Sequence, residues 1–261
     1  MKKLQRVRTR RQLLRATTLG AASIPLLALG RNSASAQAQL TPSGPSPVAR
    51  PCLLKGAKIS TPSGDRLVQE LQIGDEVQTL AGRKKIKWIG YNKFTKAESR
   101  AWPDSVMPIR VARFAIDDQT PYRDLYISPL HCVFLNEALI PAMYLVNETS
   151  ITQGTPSEMS AMEYYHVELD THEVIYAEGA LVESYDGSNR DNFSNFIQYE
   201  RLYGAQRQSK MTQPAPILRY RDRRHELNGL VRSLVSNVID VRDPIQIAYD
   251  QLAQRAEAML V

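Results

Sequence analysis

Residues 52–77 read CLLKGAKISTPSGDRLVQELQIGDEV, and the fold class turns on how their apolar positions are spaced. The apolar runs AKIS and LVQEL, and the start of EVQTL, are short, and TPSGD and IGD punctuate them with turn-forming residues. Inward-outward alternation broken every few residues is the pattern of half-buried strands. The same grammar continues to about residue 187 through KIKWIGY, PIRVARFAI, DLYIS, CVFLN, ALIPA, YYHVELD and EVIYAEG, which brings the candidate strands to ten. No helix intervenes between them, so a parallel sheet is not expected. The expectation is an all-β domain of short antiparallel strands.

Beyond residue 188 the spacing changes. NRDNFSNFIQYERLYG, HELNGLVRSLVSNVIDV and PIQIAYDQLAQRAEAMLV carry apolar residues three and four apart, which predicts a helical C-terminal extension over 191–261. MTQPAPILRY, with two prolines, separates the first helical piece from the others, and the last pieces are candidates to pack on the β domain or on a protein partner.

Upstream, the first 36 residues hold eight of the 33 basic residues and none of the 27 acidic ones. They run from a basic start through TTLGAASIPLLALG to the small residues SASAQA, the order of an export signal. That apolar run is 14 residues, short of the roughly 20 needed to span a bilayer, so no stable membrane span is expected. Arg10 and Arg11 in TRRQLLR stand just before it and read as a twin-arginine signal, which predicts a periplasmic or extracellular destination. Residues 37–51, with four prolines, read as an extended linker. The formal charge of +6 belongs to the leader: the remainder carries 25 basic against 27 acidic residues, which removes the electrostatic case for nucleic-acid binding.

The chain has two cysteines, Cys52 and Cys132, and three of its four histidines, His131, His166 and His172, fall in strand-like segments. A thiol at neutral pH needs a polar neighbour to become a nucleophile, so any partner of Cys52 must come from far along the chain. His131 among apolar residues is equally the pattern of a core histidine, His172 that of a structural one, and His166 with Glu168 and Asp170 that of a surface charge cluster. No metal-ligand spacing joins these histidines to a cysteine, so neither metal nor cofactor is expected.

Three segments in order carry a more specific resemblance. The opening stretch from Cys52, with Gly56 and Gly74-Asp75 in its turns, then SPLH at 128–131, then YHVELDTHEVIYAEGALVESY, are together similar to the Hint family of hedgehog C-terminal domains and inteins, in its bacterial stand-alone form, over 52–190. The resemblance implies a β horseshoe with Cys52 folded into its centre beside His131. It implies attack of the Cys52 thiolate on the Pro51 carbonyl to give a thioester, with His131 protonating the leaving nitrogen and Ser128 polarising the peptide. His172 and Gly179 fall in register with the last block, and His166 stands where relatives carry an aspartate, as the candidate to activate an incoming acyl acceptor, water or a small nucleophile. Splicing inteins end this block with His-Asn; here LVES places Glu183 and Ser184 there, so cleavage without splicing is expected. Two other readings stay open: a non-catalytic secreted binding module, and a small disulfide-stapled domain. Because Cys132 follows His131, a Cys52–Cys132 disulfide acting as a redox gate is a further expectation, against an inert buried Cys132.

Overall fold

The computed structural model describes residues 51–96, 101–156, 159–204, 210–219 and 243–260. The expected leader, the linker up to residue 50 and all of HELNGLVRSLVSNVIDV lie outside the described residues. Fourteen strands are described: β1 (Leu53–Leu54), β2 (Lys58–Thr61), β3 (Gly64–Leu67), β4 (Glu76–Thr79), β5 (Gly82–Lys85), β6 (Trp88–Thr95), β7 (Ile109–Val111), β8 (Leu125–Ile127), β9 (Cys132–Leu135), β10 (Ala138–Pro141), β11 (Ile151–Gln153), β12 (Ala161–Glu168), β13 (Val174–Ala177) and β14 (Ala180–Glu183). Two helices follow, α1 (Phe196–Tyr203) and α2 (Pro244–Ala258).

The strands form two antiparallel sheets, as expected for the fold class. The first has the order β11-β7-β8-β1-β12-β6. The second has the order β10-β9-β14-β13-β2-β3, with β4 on β13 and β5 on β4. Turn chemistry sets their registers. Thr79 Oγ1 closes the β4–β5 hairpin by donating to the Gly82 carbonyl at 2.7 Å, and Thr61 does the same for Gly64 between β2 and β3. The loops Asn136-Glu137 and Glu178-Gly179 have positive φ at both residues, the geometry that matches a two-residue loop to the twist of its strands.

The stretch LVQEL departs from expectation. Only Leu67 is in a strand; Val68–Glu70 form a 3-10 turn that swings Val68 into the core at 0% exposure. Its alternation of Leu and Val with polar residues also suits one tight helical turn.

β1 organises the molecule. It lies between β8 and β12, with Leu53 opposite both Ile127 and Tyr165. Leu53 points into the main core with Ile59, Val133, Val167 and Val182, whereas Cys52 and Leu54 join a second cluster with Trp88, Tyr164, Tyr185, Phe193 and Tyr199. The residues after 188 complete both clusters. Phe193 and Tyr199 cover Trp88, with ring centroids 5.4 and 5.3 Å away, and α2 sends Ile245, Ala248 and Leu252 into the main core. Asp243 caps α2 by accepting the Ile245 N–H at 2.8 Å, with Pro244 at its first turn. No described helix is long and apolar enough to cross a membrane.

Candidate functional site

Cys52 is buried at 2% exposure and held from both sides of its backbone. Its N–H donates to Ser128 Oγ at 2.8 Å, and its carbonyl accepts the Ser128 N–H at 2.9 Å. Ser128 has that position because it continues β8, the neighbour of β1. The SPLH segment then turns back on itself, the His131 N–H donating to the Ser128 carbonyl at 3.0 Å, which brings His131 inward just before β9.

His131 meets His166, which β12 contributes opposite Gly90; the two rings are 5.1 Å apart between centroids. The other side of His166 faces Tyr185 at 5.0 Å. His131 is 0% exposed and His166 2%, so the surface charge cluster suggested by His166, Glu168 and Asp170 does not form. Glu168 is itself buried and takes a two-pronged contact from Arg190, Nε and Nη2 each 2.8 Å from a carboxylate oxygen. Asp170 is exposed.

Burial holds both rings neutral. It pushes His131 down to about 3, with His166 adding to the effect, and His166 down to about 3 as well. Neither ring makes a direct hydrogen bond among the described residues, although the backbone of Glu183 and Ser184 is close enough to act on them. Buried imidazole nitrogens without partners are uncommon, and here they share an interior region with Tyr185, a member of the cluster that holds Cys52.

His172 lies behind this pair, in the turn from β12 to β13, with Nε2 3.5 Å from Glu183 Oε2. Glu183 Oε1 accepts the Cys132 N–H at 2.8 Å. Ser184 is fully buried, and its Oγ accepts the Glu173 N–H at 2.8 Å. Five residues singled out from the sequence, Cys52, Ser128, His131, His166 and His172, thus lie in one buried region. Sequence reasoning missed the part played by Tyr185 and Glu183; the replacement of His-Asn by Glu-Ser was the available signal for the latter.

Cys132 is elsewhere. It belongs to a third cluster with Leu139 and Val174, its Sγ 3.8 Å from the Leu130 carbonyl, and burial with the nearby Glu183 pushes its thiol up. Neither cysteine is in a disulfide. The expected Cys52–Cys132 redox gate is not formed: Cys52 packs in the second cluster and Cys132 in the third. With both cysteines free, the fold is not held by a disulfide staple. Among the described residues no group of three or more His, Cys, Asp and Glu is arranged to hold a metal ion.

No curated protein sequence matches the chain. Solved structures similar to it include the gp41-1 intein (13% identity, covering 50% of this chain and 97% of that chain, TM-score 0.34). The DnaB intein from Synechocystis sp. PCC 6803 is similar at 9% identity over 52% of this chain and 99% of that chain, TM-score 0.36. The bacterial intein-like domain from Clostridium thermocellum is similar at 9% identity over 52% and 99%, TM-score 0.32. The family model for the Hint domain, Hint_2, matches residues 51–188, a span that begins one residue before Cys52 and takes in every strand and all five candidate site residues. That span is more than half of the chain, which therefore belongs to the Hint domain family.

Proposed function

We propose that this chain is an exported self-processing protein that cuts itself at the Pro51–Cys52 bond without splicing. The observation that carries the reading is the clamp on Cys52: a nitrogen 2.8 Å from Ser128 Oγ, in the middle of a sheet, in the buried region of two neutral imidazoles.

A neutral His131 accepts a proton before it donates one. It takes the Cys52 Sγ proton; the sulfur bonds to the Pro51 carbonyl carbon, and the tetrahedral intermediate collapses by breaking the C–N bond. His131 returns the proton to the departing Cys52 nitrogen. Ser128 Oγ, already the acceptor of that N–H, makes a stronger, charge-assisted contact while the protonated nitrogen is still bonded to the tetrahedral carbon, and is left facing a neutral amine once the C–N bond breaks. The product is a thioester joining Pro51 to Cys52 Sγ, with a new amine on Cys52. Water or a small nucleophile then attacks the thioester carbonyl and releases the segment that ends at Pro51. A positioned acid-base group of this kind contributes roughly 10² to 10⁴ in rate.

His166, the neighbouring neutral imidazole, is the candidate to take the proton of the incoming acceptor. Ser184 has no side-chain amide and cannot cyclise as asparagine does, which supports cleavage without splicing. The twin-arginine reading of Arg10 and Arg11 supports export.

Intact mass of the full-length chain, with and without a small thiol, tests the reading. The parent is expected to lose residues 1–51 faster with thiol, while Cys52→Ala and His131→Ala stay whole at this bond. A fragment beginning at residue 52 from the Cys52→Ala chain would assign the cut to an outside protease and end the proposal.

A further inference from the structure

Glu183 ends β14 with its side chain turned inward at 4% exposure. A carboxylate there needs compensating partners, since leaving water unpaired costs several kcal/mol. One is a hydrogen bond, the Cys132 N–H at 2.8 Å on Oε1; the other is a looser contact with His172, whose Nε2 lies 3.5 Å from Oε2 and makes no hydrogen bond among the described residues. The first contact falls on the peptide that joins His131 to Cys132, so the carboxylate sits one peptide unit from the imidazole that carries the proton. Burial alone would push the Glu183 carboxyl up. Its contact with His172, the influence of His131 and the Cys132 N–H outweigh burial and hold it below the ordinary carboxylate range.

The other titratable groups facing this point are His166 on β12, the Cys132 thiol at the start of β9, Asp186 after β14 and Arg219 beyond α1. Asp186 is engaged with Ser188, its carboxylate accepting the Ser188 hydroxyl at 2.6 Å and the N–H at 3.0 Å, and it acts on His166. Glu183 is the carboxylate whose charge acts on His131.

We propose that Glu183 is a positioning residue: it anchors the His131 turn through the Cys132 amide, fixes His172 with its proton on Nε2, and supplies the counter-charge for His131 once that ring has taken the Cys52 proton. The idea rests on His131 as the proton carrier described above. No bond is made or broken at Glu183; the proton passes from Cys52 Sγ to His131 and on to the Cys52 nitrogen. A buried imidazolium needs an anion close by in a low-dielectric site, where the pair interacts more strongly than in water.

Two measurements on the full-length chain test this. Glu183→Gln keeps an acceptor oxygen for the Cys132 N–H and removes the charge. Thiol-induced release of residues 1–51 is expected to slow tenfold or more, with Glu183→Asp intermediate and both melting temperatures close to the parent's. The second measurement does not require cutting. In the Cys52→Ala chain, nitrogen NMR of the histidine rings at neutral pH is expected to place the His172 proton on Nε2, and adding Glu183→Gln is expected to move the ring shifts of both His131 and His172. Release at the parental rate in Glu183→Gln overturns the proposal. So does a His172 proton on Nδ1 with ring shifts indifferent to Glu183→Gln. If the parent never cuts, the self-processing reading falls by itself, and the NMR measurement alone decides whether Glu183 positions the two rings.

Discussion

His131 and His166 are stored neutral in the dry interior, and that has a consequence in acid. In the unfolded chain a histidine takes a proton near its ordinary value of about 6.5. In the native protein burial delays this until about 3 for each ring. Below pH 6.5 the unfolded state therefore binds more protons than the native state, and stability falls as pH falls. At pH 5 the loss is about 2 kcal/mol per ring, from about 1.4 kcal/mol for each unit below 6.5. Glu183 and Asp186, held low in the folded protein, add stability above their unfolded values that is lost as pH drops through their folded ones, so they act in the same direction only in stronger acid. Urea midpoints at pH 7.5 and 5 check this: a marked drop is expected in the Cys52→Ala chain, and His166→Gln should remove about half of it. A flat profile would mean that the rings are already hydrated or charged. The identity of these residues was legible because cysteine and histidine are scarce in this chain. Their environment was not: a histidine in YYHVELD looks the same whether Glu168 beside it is solvated or paired with Arg190, 22 residues downstream.

β6 shows how a strand edge recruits the chain that follows it. Its pairing with β12 leaves one side open, and residues 193–195 stitch onto that side. Ser194 N–H donates to the Tyr91 carbonyl at 2.9 Å, Asn195 Oδ1 accepts the Tyr91 N–H at 2.9 Å, and Asn195 Nδ2 donates to the Ile89 carbonyl at 2.8 Å. Gly90 permits the approach, because a Cβ there would stand 2.6 Å from the Phe193 ring. That ring cannot swing away, being set edge-on against both Trp88 and Tyr185 at 5.4 Å. Gly90→Ala is therefore expected to cost roughly 1 to 3 kcal/mol, the usual range for overpacking. Phe193→Leu in the same chain should return part of it; a double-mutant cycle by urea unfolding measures the coupling, and additive effects would show that the two do not touch. Strands with clear alternation, such as β7 and β8, were legible. β5 was not, because GRKK has no apolar residue to betray it, and β1 was too short to show a period. α1 and α2 were legible as helices, but the choice between packing on the β domain and docking a partner stayed open, since a 3.6-residue period reports an apolar face and not what covers it.

At the scale of the whole molecule, α2 lies far along the chain yet belongs to the main core. Ile245 and Leu252 are 1% and 4% exposed, Asn136 Nδ2 donates to Gln251 at 2.9 Å, and Arg255 Nε donates to the Phe114 carbonyl at 2.6 Å. Burying two such aliphatic side chains stabilises by roughly 1.5 to 3 kcal/mol each, a large part of the 5 to 15 typical of a domain. A chain ending at residue 242 is accordingly expected to melt well below the parent and to bind a hydrophobic dye; an unchanged melting temperature would show that α2 contributes nothing. The placement of β1 has a consequence in time. Both of its neighbours, β8 and β12, and Glu183 beyond them are made long after Cys52. On a ribosome, the pairing partners of the first residues of the domain are not all available until β12, whose last residue lies 116 positions after Cys52, has emerged. Only then does the slot between β8 and β12 exist for them to enter. The bond before Cys52 is thus an ordinary peptide until β12 has been made, and self-cleavage there marks a domain whose central strand was already in place.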